Sequence, residues 1–499
     1  MAAAKRKTSA GRKKLRYQDL VSTRPGSLAG TFMRRFWHPI YRAEELRAGQ
    51  AKPIEVMSER FTLYRDENGA PHVVDFRCPH RGTQLSAGWI EGDSIRCMYH
   101  GWKFNAAGQC TEQPAEEKSF AAKIRITSCP TREYLGLIFA YFGAGEAPPF
   151  PRYPYMEEDG VLEVLSTQVW PCNFFQRIDN NGDTYHVPFV HRGAYSASAA
   201  NNRSGLPEVS KEESPWGTTG YASFAQGWRN VFQFFMPNAY AFRNPSPEPE
   251  CVSEDRMQWD VPLDDEHSLE FRLRRLPLTG EAAREYRARR VASPAEANIS
   301  VAQMGAAVLS GKLSFQELDN FFKDKISLVH TQDYVAQVGQ GSLADRAREH
   351  LGRSDVGVIL FRKIWERELR ALAEGRPLKK WVLPQDAEIK FQEQPKNQCG
   401  AREDKITAAA PNFFSVVHSD FPRYAYLLQR FFNHGFNPYS HFCHRNEVDV
   451  TDRSRISSGQ NSAISDVTKK QTPVHSREED FLCPIDLQYS CSPVPSSPL

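Results

Sequence analysis

The alternation of apolar and polar residues predicts short strands in the first part of the chain. The stretch FTLYRDENGAPHVVDF, residues 61–76, has the pattern of two strands joined by a turn that contains Gly69. The run YLGLIFAYFG, residues 134–143, is about half the length needed to cross a bilayer and is rich in strand-forming residues, so we expect a buried strand. These patterns predict a small, mainly β domain over residues 31–148.

The pattern changes after the Pro-rich segment EAPPFPRYPY, residues 146–155, which can continue neither a helix nor a central strand. Stretches with the aromatic and β-branched character of strands occur between 160 and 280, and residues 281–375 show mostly the 3.6-residue apolar spacing of helices. Gly375 has the position of a helix C-cap. The sequence therefore predicts an α+β fold, with a larger second domain of antiparallel sheet and helices over residues 149–395.

The two ends of the chain have no pattern that predicts a core. The first sixteen residues carry seven Lys and Arg, with no apolar segment of the secretory kind after them, and predict a basic flexible leader over residues 1–30. Residues 396–499 lose periodicity and become rich in Ser, Thr and Pro, so we expect a disordered tail. The tail contains His441, Cys443 and His444, which we interpret as an incidental cluster.

Composition and charge argue against two classes of partner. Of the 499 residues, 25% are charged and 40% are hydrophobic, and the formal net charge is +3. These values give no strong attraction to nucleic acid or to a membrane, so we expect neither as a partner. The ten cysteines are scattered rather than arranged as a disulfide framework, which favours a reducing cytoplasm.

The stretch CPHRGTQLSAGWIEGDSIRCMYHGW, residues 78–102, predicts a metal site. It offers Cys78 and His80 in one loop and Cys97 and His100 in another, and thiolate and imidazole are ligands for zinc or for iron–sulfur centres. Zinc fingers usually pair Cys with Cys and His with His, whereas here each loop carries one of each. The order resembles that of a Rieske [2Fe-2S] cluster, which implies that the two cysteines hold one iron and the two histidines the other.

Residues around these ligands refine the resemblance. Gly82 and Gly101 can adopt backbone conformations that a side chain would hinder, and Trp102 is expected to shield the cluster. Thr83 stands where respiratory-chain Rieske proteins carry an additional, disulfide-forming cysteine. The sequence is therefore similar to the oxygenase or ferredoxin branch of the Rieske family, and a ferredoxin would not need the long second domain.

A second motif, NFFQRIDNNGDTYHVPFVH at residues 173–191, predicts a mononuclear iron site. Asp183, His186 and His191 are close together in the sequence, and Pro188 provides the break that histidines five residues apart need to meet. The arrangement resembles the iron motif of Rieske non-heme iron oxygenases, in which two histidines and one carboxylate bind Fe(II) and leave positions open for oxygen and substrate.

The resemblance also implies a role for Asp183 and a third iron ligand. The matching aspartate of the family accepts a hydrogen bond from the iron ligand that corresponds to His186, and it reaches the Rieske ligand that corresponds to His100 of the partner subunit, so Asp183 is expected to be catalytic in electron transfer. Asp333 fits the third ligand best. Three residues on the same stretch remain alternatives to it: Asp319, Asp324 and His330.

Both motifs occur in family order, and the resemblance covers about residues 30–395. It is to the oxygenase (alpha) subunit of Rieske non-heme iron aromatic oxygenases, in the phthalate dioxygenase and aryl O-demethylase group. This implies a homotrimer that acts on a small aromatic substrate and O2. Its electrons would come from a separate reductase, possibly with a ferredoxin, and ultimately from NAD(P)H, because the chain has no dinucleotide-binding fingerprint of its own.

The sequence indicates the reaction less specifically than it indicates the metal sites. The stretches RYQDLVSTRPGSLAG at 16–30 and TREYLGLIFAYFG at 131–143 are similar to subunits that demethylate lignin-derived methoxylated aromatics, which favours O-demethylation. The alternative is cis-dihydroxylation of a phthalate-like aromatic carboxylate, which Arg229 or Arg243 could bind. More distant alternatives are a non-catalytic Rieske electron carrier and a zinc-stabilised binding protein.

Overall fold

The computed structural model describes residues 15–191, 206–223, 229–246, 248, 250–292, 300–322 and 325–393. Its helices are α1 Tyr17–Val21, α2 Leu28–Met33, α3 Pro154–Glu157, α4 Phe174–Gly182, α5 Val187–Val190, α6 Gly280–Ala292, α7 Val301–Leu309, α8 Leu318–Phe321, α9 Lys325–Val338 and α10 Val356–Ala373. Its strands are β1 Trp37–Arg42, β2 Ala51–Val56, β3 Glu59–Arg65, β4 Pro71–Asp75, β5 Trp89–Glu91, β6 Ser94–Arg96, β7 Lys103–Phe104, β8 Cys110–Glu112, β9 Ser128–Cys129, β10 Thr131–Tyr134, β11 Leu137–Tyr141, β12 Val161–Trp170, β13 Glu208–Glu213, β14 Gly217–Ser223, β15 Arg229–Phe235, β16 Ala239–Pro245, β17 Ser253–Pro262, β18 Ser268–Leu276 and β19 Gln392–Glu393.

Strands β1 to β11 form three small antiparallel sheets. Their orders are β1-β11-β10, β2-β3-β4-β9 and β5-β6-β7-β8. The predicted hairpin is β3 and β4, with Gly69 in the turn at φ +91°, and β11 is buried along its whole length, as expected from its apolar sequence. The small, mainly β domain is thereby confirmed.

One larger antiparallel sheet follows in the second part of the chain. Its strands run in the order β12-β18-β17-β16-β15-β14-β13, and β19 pairs with β15. Helices α4, α9 and α10 pack against this sheet or against one another. The predicted α+β fold is confirmed, while the exact domain boundary near residues 148–149 stays a prediction. No helix among the described residues is both long and apolar enough to cross a membrane.

Helix α10 brings its first turn against the last turn of α4. The apolar face of α10 is buried, with Phe361 and Trp365 in ring contact with each other and with Phe175. A Cβ atom on Gly357 would lie 2.2 Å from the carbonyl oxygen of Gly182, so only glycine permits this approach. The carboxyl end of α4, which Asp183 of the second motif caps, is therefore fixed by α10.

Residues 15–30 differ from the flexible leader that the basic residues predict. They form α1 and the start of α2, and Val21 is fully buried. The backbone N–H of Thr23 donates to Asp265, and the indole of Trp365 donates to the carbonyl of Leu20. These apolar and polar contacts hold the segment against the rest of the fold, although its basic residues predicted a flexible leader. Residues 1–14, and the predicted tail with its His and Cys cluster, lie outside the described residues.

Candidate metal centres

The first motif forms two loops of the same construction, which follow β4 and β6. In one loop the backbone N–H of Cys78 donates to Thr83, and in the other the N–H of Cys97 donates to Trp102, each at 2.8 Å. Each loop closes through a glycine with positive φ: Gly82 (79°) and Gly101 (74°). These backbone turns point both Cys–His pairs toward one place.

The four side chains of the two loops meet as a metal-binding set requires. Cys78 and Cys97 are buried free thiols, and the rings of His80 and His100 are 4.5 Å apart. Each of these imidazoles has a buried Nδ1 atom without a hydrogen-bond partner among the described residues. Burial, and to a lesser extent the neighbouring thiol of Cys97, raises the pKa of Cys78 to about 12, so a thiolate here needs a cation. These residues fit a cluster with two Cys and two His ligands.

Aromatic side chains surround this set. Trp102 is buried and stacks on His80 at 4.6 Å, as expected for a residue that shields the cluster. Tyr99 contacts His100 at 3.9 Å between ring centroids and is 51% exposed. Phe120 packs on Trp102 and is also exposed. The histidine side of the loops therefore presents an apolar surface to the outside.

The second motif and α9 bring three further ligand-type side chains together. His186 precedes α5, which has Pro188 in its first turn, and His191 follows it. The Nε2 atoms of His186 and His191 lie 3.6 and 3.3 Å from Oδ1 of Asp333, which α9 contributes. The potential ligand atoms all lie within 4.8 Å of one another. Two imidazoles and one carboxylate fit the donor set of mononuclear non-heme iron.

The ionisable groups of this triad shift each other's pKa values toward the charged forms. Burial alone would raise the pKa of Asp333, but the charges of His191 and His186 outweigh burial and hold that pKa well below its usual range. Burial would lower the pKa of His191, but the carboxylate of Asp333 raises it. An ionised carboxylate is therefore held between two imidazoles.

Two hydrogen-bonding residues that the motifs did not predict support the triad. Oε1 of Gln332 lies 3.0 Å from Nδ1 of His191, and Nε2 of Gln332 lies 3.5 Å from Asp319. The amide of Asn180 donates to Oδ1 of Asp333 at 3.3 Å. Asn180 lies within the second motif and Gln332 precedes Asp333 in the sequence, but their partners lie on other elements, so spacing alone could not identify their roles.

Asp183 lies at the C-cap of α4 and points toward the triad. Its Oδ1 accepts a hydrogen bond from the backbone N–H of Tyr185 at 2.8 Å, and its Oδ2 lies 3.7 Å from Nδ1 of His186. That Nδ1 atom has no hydrogen-bond partner among the described residues. The side chain of Asp183 is 27% exposed, so a group outside the chain can reach it.

The alternatives to Asp333 have other surroundings. His330 is buried one turn earlier on α9, and burial and the charge of Arg272 lower its pKa to about 3. Among the described residues, the group of potential metal ligands does not include His330. Asp319 contacts Gln332, as described above, and Asp324 lies outside the described residues.

An arginine of the sheet acts electrostatically on the triad. Arg272 on β18 donates to Glu270 at 3.1 Å, while its Nε is buried without a hydrogen-bond partner among the described residues. Its charge also lowers the pKa of Asp333. By contrast, Arg243 is bound to Asp255 at 2.7 Å, and Arg229 stacks on Tyr221. Of these three arginines, Arg272 is therefore the one whose charge affects the pKa of Asp333. The sequence did not single it out.

Comparison with known proteins identifies the family. Residues 36–131 match the family model of the Rieske [2Fe-2S] domain. The chain is 30% identical over 386 residues to the 5,5'-dehydrodivanillate O-demethylase oxygenase subunit of Sphingobium sp. (strain NBRC 103272 / SYK-6), which covers 71% of this chain and 80% of that one. It is 29% identical over 381 residues to the phenoxybenzoate dioxygenase subunit alpha of Ectopseudomonas oleovorans, which covers 72% and 85%.

A solved structure supports the same fold. NdmA of Pseudomonas putida CBB5 with caffeine superimposes with a TM-score of 0.53 at 17% identity, covering 69% of this chain and 93% of that one. Together these findings show that the chain belongs to the Rieske non-heme iron oxygenases, as an oxygenase alpha subunit. It is therefore an oxidoreductase with a Rieske [2Fe-2S] domain.

Proposed function

We propose that this oxygenase demethylates a lignin-derived methoxylated aromatic compound. The similarity to an O-demethylase oxygenase subunit over most of both chains supports this substrate class. In the balanced reaction, an aryl methyl ether, O2, two electrons and two protons give a phenol, formaldehyde and water. One C–H bond of the methyl group is hydroxylated, and the resulting hemiacetal then releases formaldehyde.

The observation that carries the proposal is the presence of two separate ligand sets of the right donor types. The cluster would be held by Cys78, His80, Cys97 and His100, and the mononuclear Fe(II) by His186, His191 and Asp333. When bound, the cluster supplies single electrons and the iron supplies the centre at which oxygen is activated. The electron source is proposed to be NAD(P)H, through a separate reductase and possibly a ferredoxin.

The chain's own residues position these groups. Gln332 accepts from Nδ1 of His191 and leaves Nε2 of that ring to face Asp333. Asp183 points its carboxylate at Nδ1 of His186, and its exposed side is available to His100 of the partner subunit. We propose that Asp183 joins the two histidines by hydrogen bonds and so forms the route for electrons between subunits.

Exposed apolar residues near both centres support a homotrimer. Tyr99 and Phe120 surround the histidine side of the first centre, and Phe189 on α5, beside His186, is 62% exposed. Contact between the two different surfaces on neighbouring copies would be head-to-tail, and such contacts close into a ring when the rotation between copies is a whole fraction of a turn. We propose a cytoplasmic trimer in which each first centre meets the second centre of the next subunit.

Arg272 supports a substrate with an anionic group. Its guanidinium pairs with Glu270, but its Nε is a buried donor that has no hydrogen-bond partner among the described residues. Such a donor is unfavourable unless a ligand accepts from it. A carboxylate would accept from this nitrogen. This favours a methoxylated aromatic acid, and it equally favours the second candidate function, cis-dihydroxylation of a phthalate-like carboxylate.

A single-turnover experiment separates the candidates. The iron-loaded, chemically reduced protein is mixed with O2 and a panel of aromatic acids with and without methoxy groups, and formaldehyde and ring diols are assayed. We expect formaldehyde and the matching phenol from a methoxylated acid. A diol without formaldehyde would establish ring dihydroxylation instead, and neither product from any compound would favour an electron carrier.

A further inference from the structure

Lys211 occupies an inward-facing position on β13 where an apolar residue is the usual choice. Side chains along β13 alternate between exposed and partly buried, and Lys211 lies on the partly buried side together with Val209 and Glu213. Glu213 is paired with Arg367 and Lys379 on the neighbouring elements. Lys211 instead extends toward the carboxyl end of α4, where Asp183 lies.

Three glycines from three elements enclose the Lys211 side chain. A Cβ atom on Gly220, its cross-strand partner on β14, would lie 3.8 Å from the lysine stem. A Cβ on Gly357 of α10 would lie 3.1 Å from Cδ, and a Cβ on Gly182 would lie 3.6 Å from the ammonium nitrogen. The absence of side chains at these positions leaves the space through which the lysine reaches the end of α4.

The charges at this end of α4 favour a nearby cation. The carboxyl end of a helix carries partial negative charge, so the carboxylate of Asp183 is electrostatically disfavoured at the C-cap. No Arg or Lys nitrogen among the described residues lies within 4.0 Å of that carboxylate. Asp179, one turn earlier, differs because it already binds Arg346 and Arg362 at 2.8 and 2.6 Å.

The pKa of Lys211 agrees with the position of its ammonium group near Asp183. Burial lowers the pKa of Lys211 to about 8, and the nearby charges of Asp183 and, less strongly, Asp179 oppose that decrease. The nearby carboxylate of Asp183 thus favours the ammonium form of Lys211 in this enclosed place. Lys is a favourable residue at the carboxyl end of a helix for the same reason.

We propose that Lys211 is a positioning residue for Asp183, whose ammonium group offsets the negative end of α4 and holds the Asp183 carboxylate beside His186. Without this cation, the Asp183 side chain would turn toward water and lose its alignment. The inference rests on the proposed role of Asp183 in electron transfer, but it concerns a different residue on a different strand.

The test compares Lys211→Met, which keeps the stem and removes the charge, with Lys211→Arg, which keeps the charge. Reoxidation of the reduced cluster by O2 and a methoxylated aromatic acid is followed by its visible absorption in the full-length, iron-loaded protein. We expect Lys211→Met to keep its cluster spectrum, iron content and KM, while its reoxidation rate and kcat fall by about tenfold. Lys211→Arg should recover most of the rate.

A matched control and a second variant keep the outcome decisive. Lys379→Met removes a lysine that is paired with Glu213, so it should lower the melting temperature without changing the reoxidation rate. If Lys211→Met fails to accumulate, Lys211→Gln is judged by the same criteria. A reoxidation rate within about twofold of the parent, with full iron content, would overturn the inference. If Asp183→Asn also left the rate unchanged, the proposed electron route would fail as well.

Discussion

The Nδ1 atom of His191 lies 3.0 Å from Oε1 of Gln332, whose amide nitrogen lies 3.5 Å from Asp319. A carbonyl oxygen only accepts, so Nδ1 of His191 donates to Gln332, and Nε2, which faces Asp333, is the nitrogen available to a metal. Gln332 thereby selects the tautomer that can bind a metal and fixes the plane of the ring. Its neighbour in the sequence, Asp333, completes the same site.

Replacing Gln332 by Met should weaken iron binding at the mononuclear site by about 10- to 100-fold, because His191 loses the acceptor that fixes its tautomer. Iron retained during dialysis against a graded series of chelators measures the affinity, while the visible spectrum reports the cluster. The exposed Gln340 on the same stretch provides the control Gln340→Met. Equal iron affinity in both variants would show that Gln332 does not support the ligand.

Asp183→Asn should keep the iron content and the cluster spectrum of the parent and slow cluster reoxidation by about 10- to 100-fold. An amide presents only one acceptor oxygen, so it cannot accept from two histidines through separate carboxylate oxygens. Stopped-flow absorbance of the reduced protein with O2 and substrate measures the rate. Parent-like reoxidation in this variant would contradict the proposed electron route.

Arg272→Met should raise KM for an aromatic carboxylate about 10- to 100-fold, because a charge-assisted hydrogen bond contributes about 1.5–3 kcal/mol. The KM for the neutral methyl ester of the same compound should change little. The ratio of the two constants removes any general effect on folding, and Arg243→Met, at an arginine bound to Asp255, serves as control. An unchanged ratio in Arg272→Met would exclude this arginine as the anion-binding group.

His38 should make the protein less stable in acid. It is buried on β1 and its Nε2 lies 2.8 Å from the carbonyl oxygen of Met33, and burial lowers its pKa to about 4. The unfolded chain takes up a proton near the ordinary pKa of about 6.5, so stability is complete above that pH and falls as pH decreases toward 4, by up to about 3 kcal/mol.

The variant His38→Gln tests this dependence. It keeps a donor for the Met33 carbonyl and removes the titrating group, so its melting temperature should fall less than that of the parent between pH 7.5 and pH 5. The exposed His350 gives the control His350→Gln, which should follow the parent. A decrease equal to the parent's in His38→Gln would assign the acid sensitivity to other groups.

Sequence reasoning was most successful where the necessary residues are neighbours in the chain. Cys78 and His80 lie in one loop and need only a tight turn to meet, so their spacing is informative by itself. Asp333 lies on a separate helix, and its placement came from the family resemblance, which the structure supports by bringing it beside His191. The fold class followed from periodicity, because strand and helix periods differ.

Long-range contacts explain what the sequence did not show. Arg272, Asn180 and Lys211 acquire their roles from nearby groups on other strands and helices, and no local spacing encodes such relationships. The interpretation of residues 15–30 gave weight to basic residues and missed the apolar positions that the fold buries, such as Val21. Tertiary packing decided that segment.

A count of the metals tests the presence of two separate centres most directly. After anaerobic loading with Fe(II) and removal of excess metal, iron and acid-labile sulfide are measured per chain in the parent protein and in His191→Ala. We expect about three irons for two sulfides in the parent, and about two for two in the variant, with the cluster spectrum unchanged. Two irons for two sulfides in the parent, or a third iron that persists in His191→Ala, would contradict the mononuclear site proposed here.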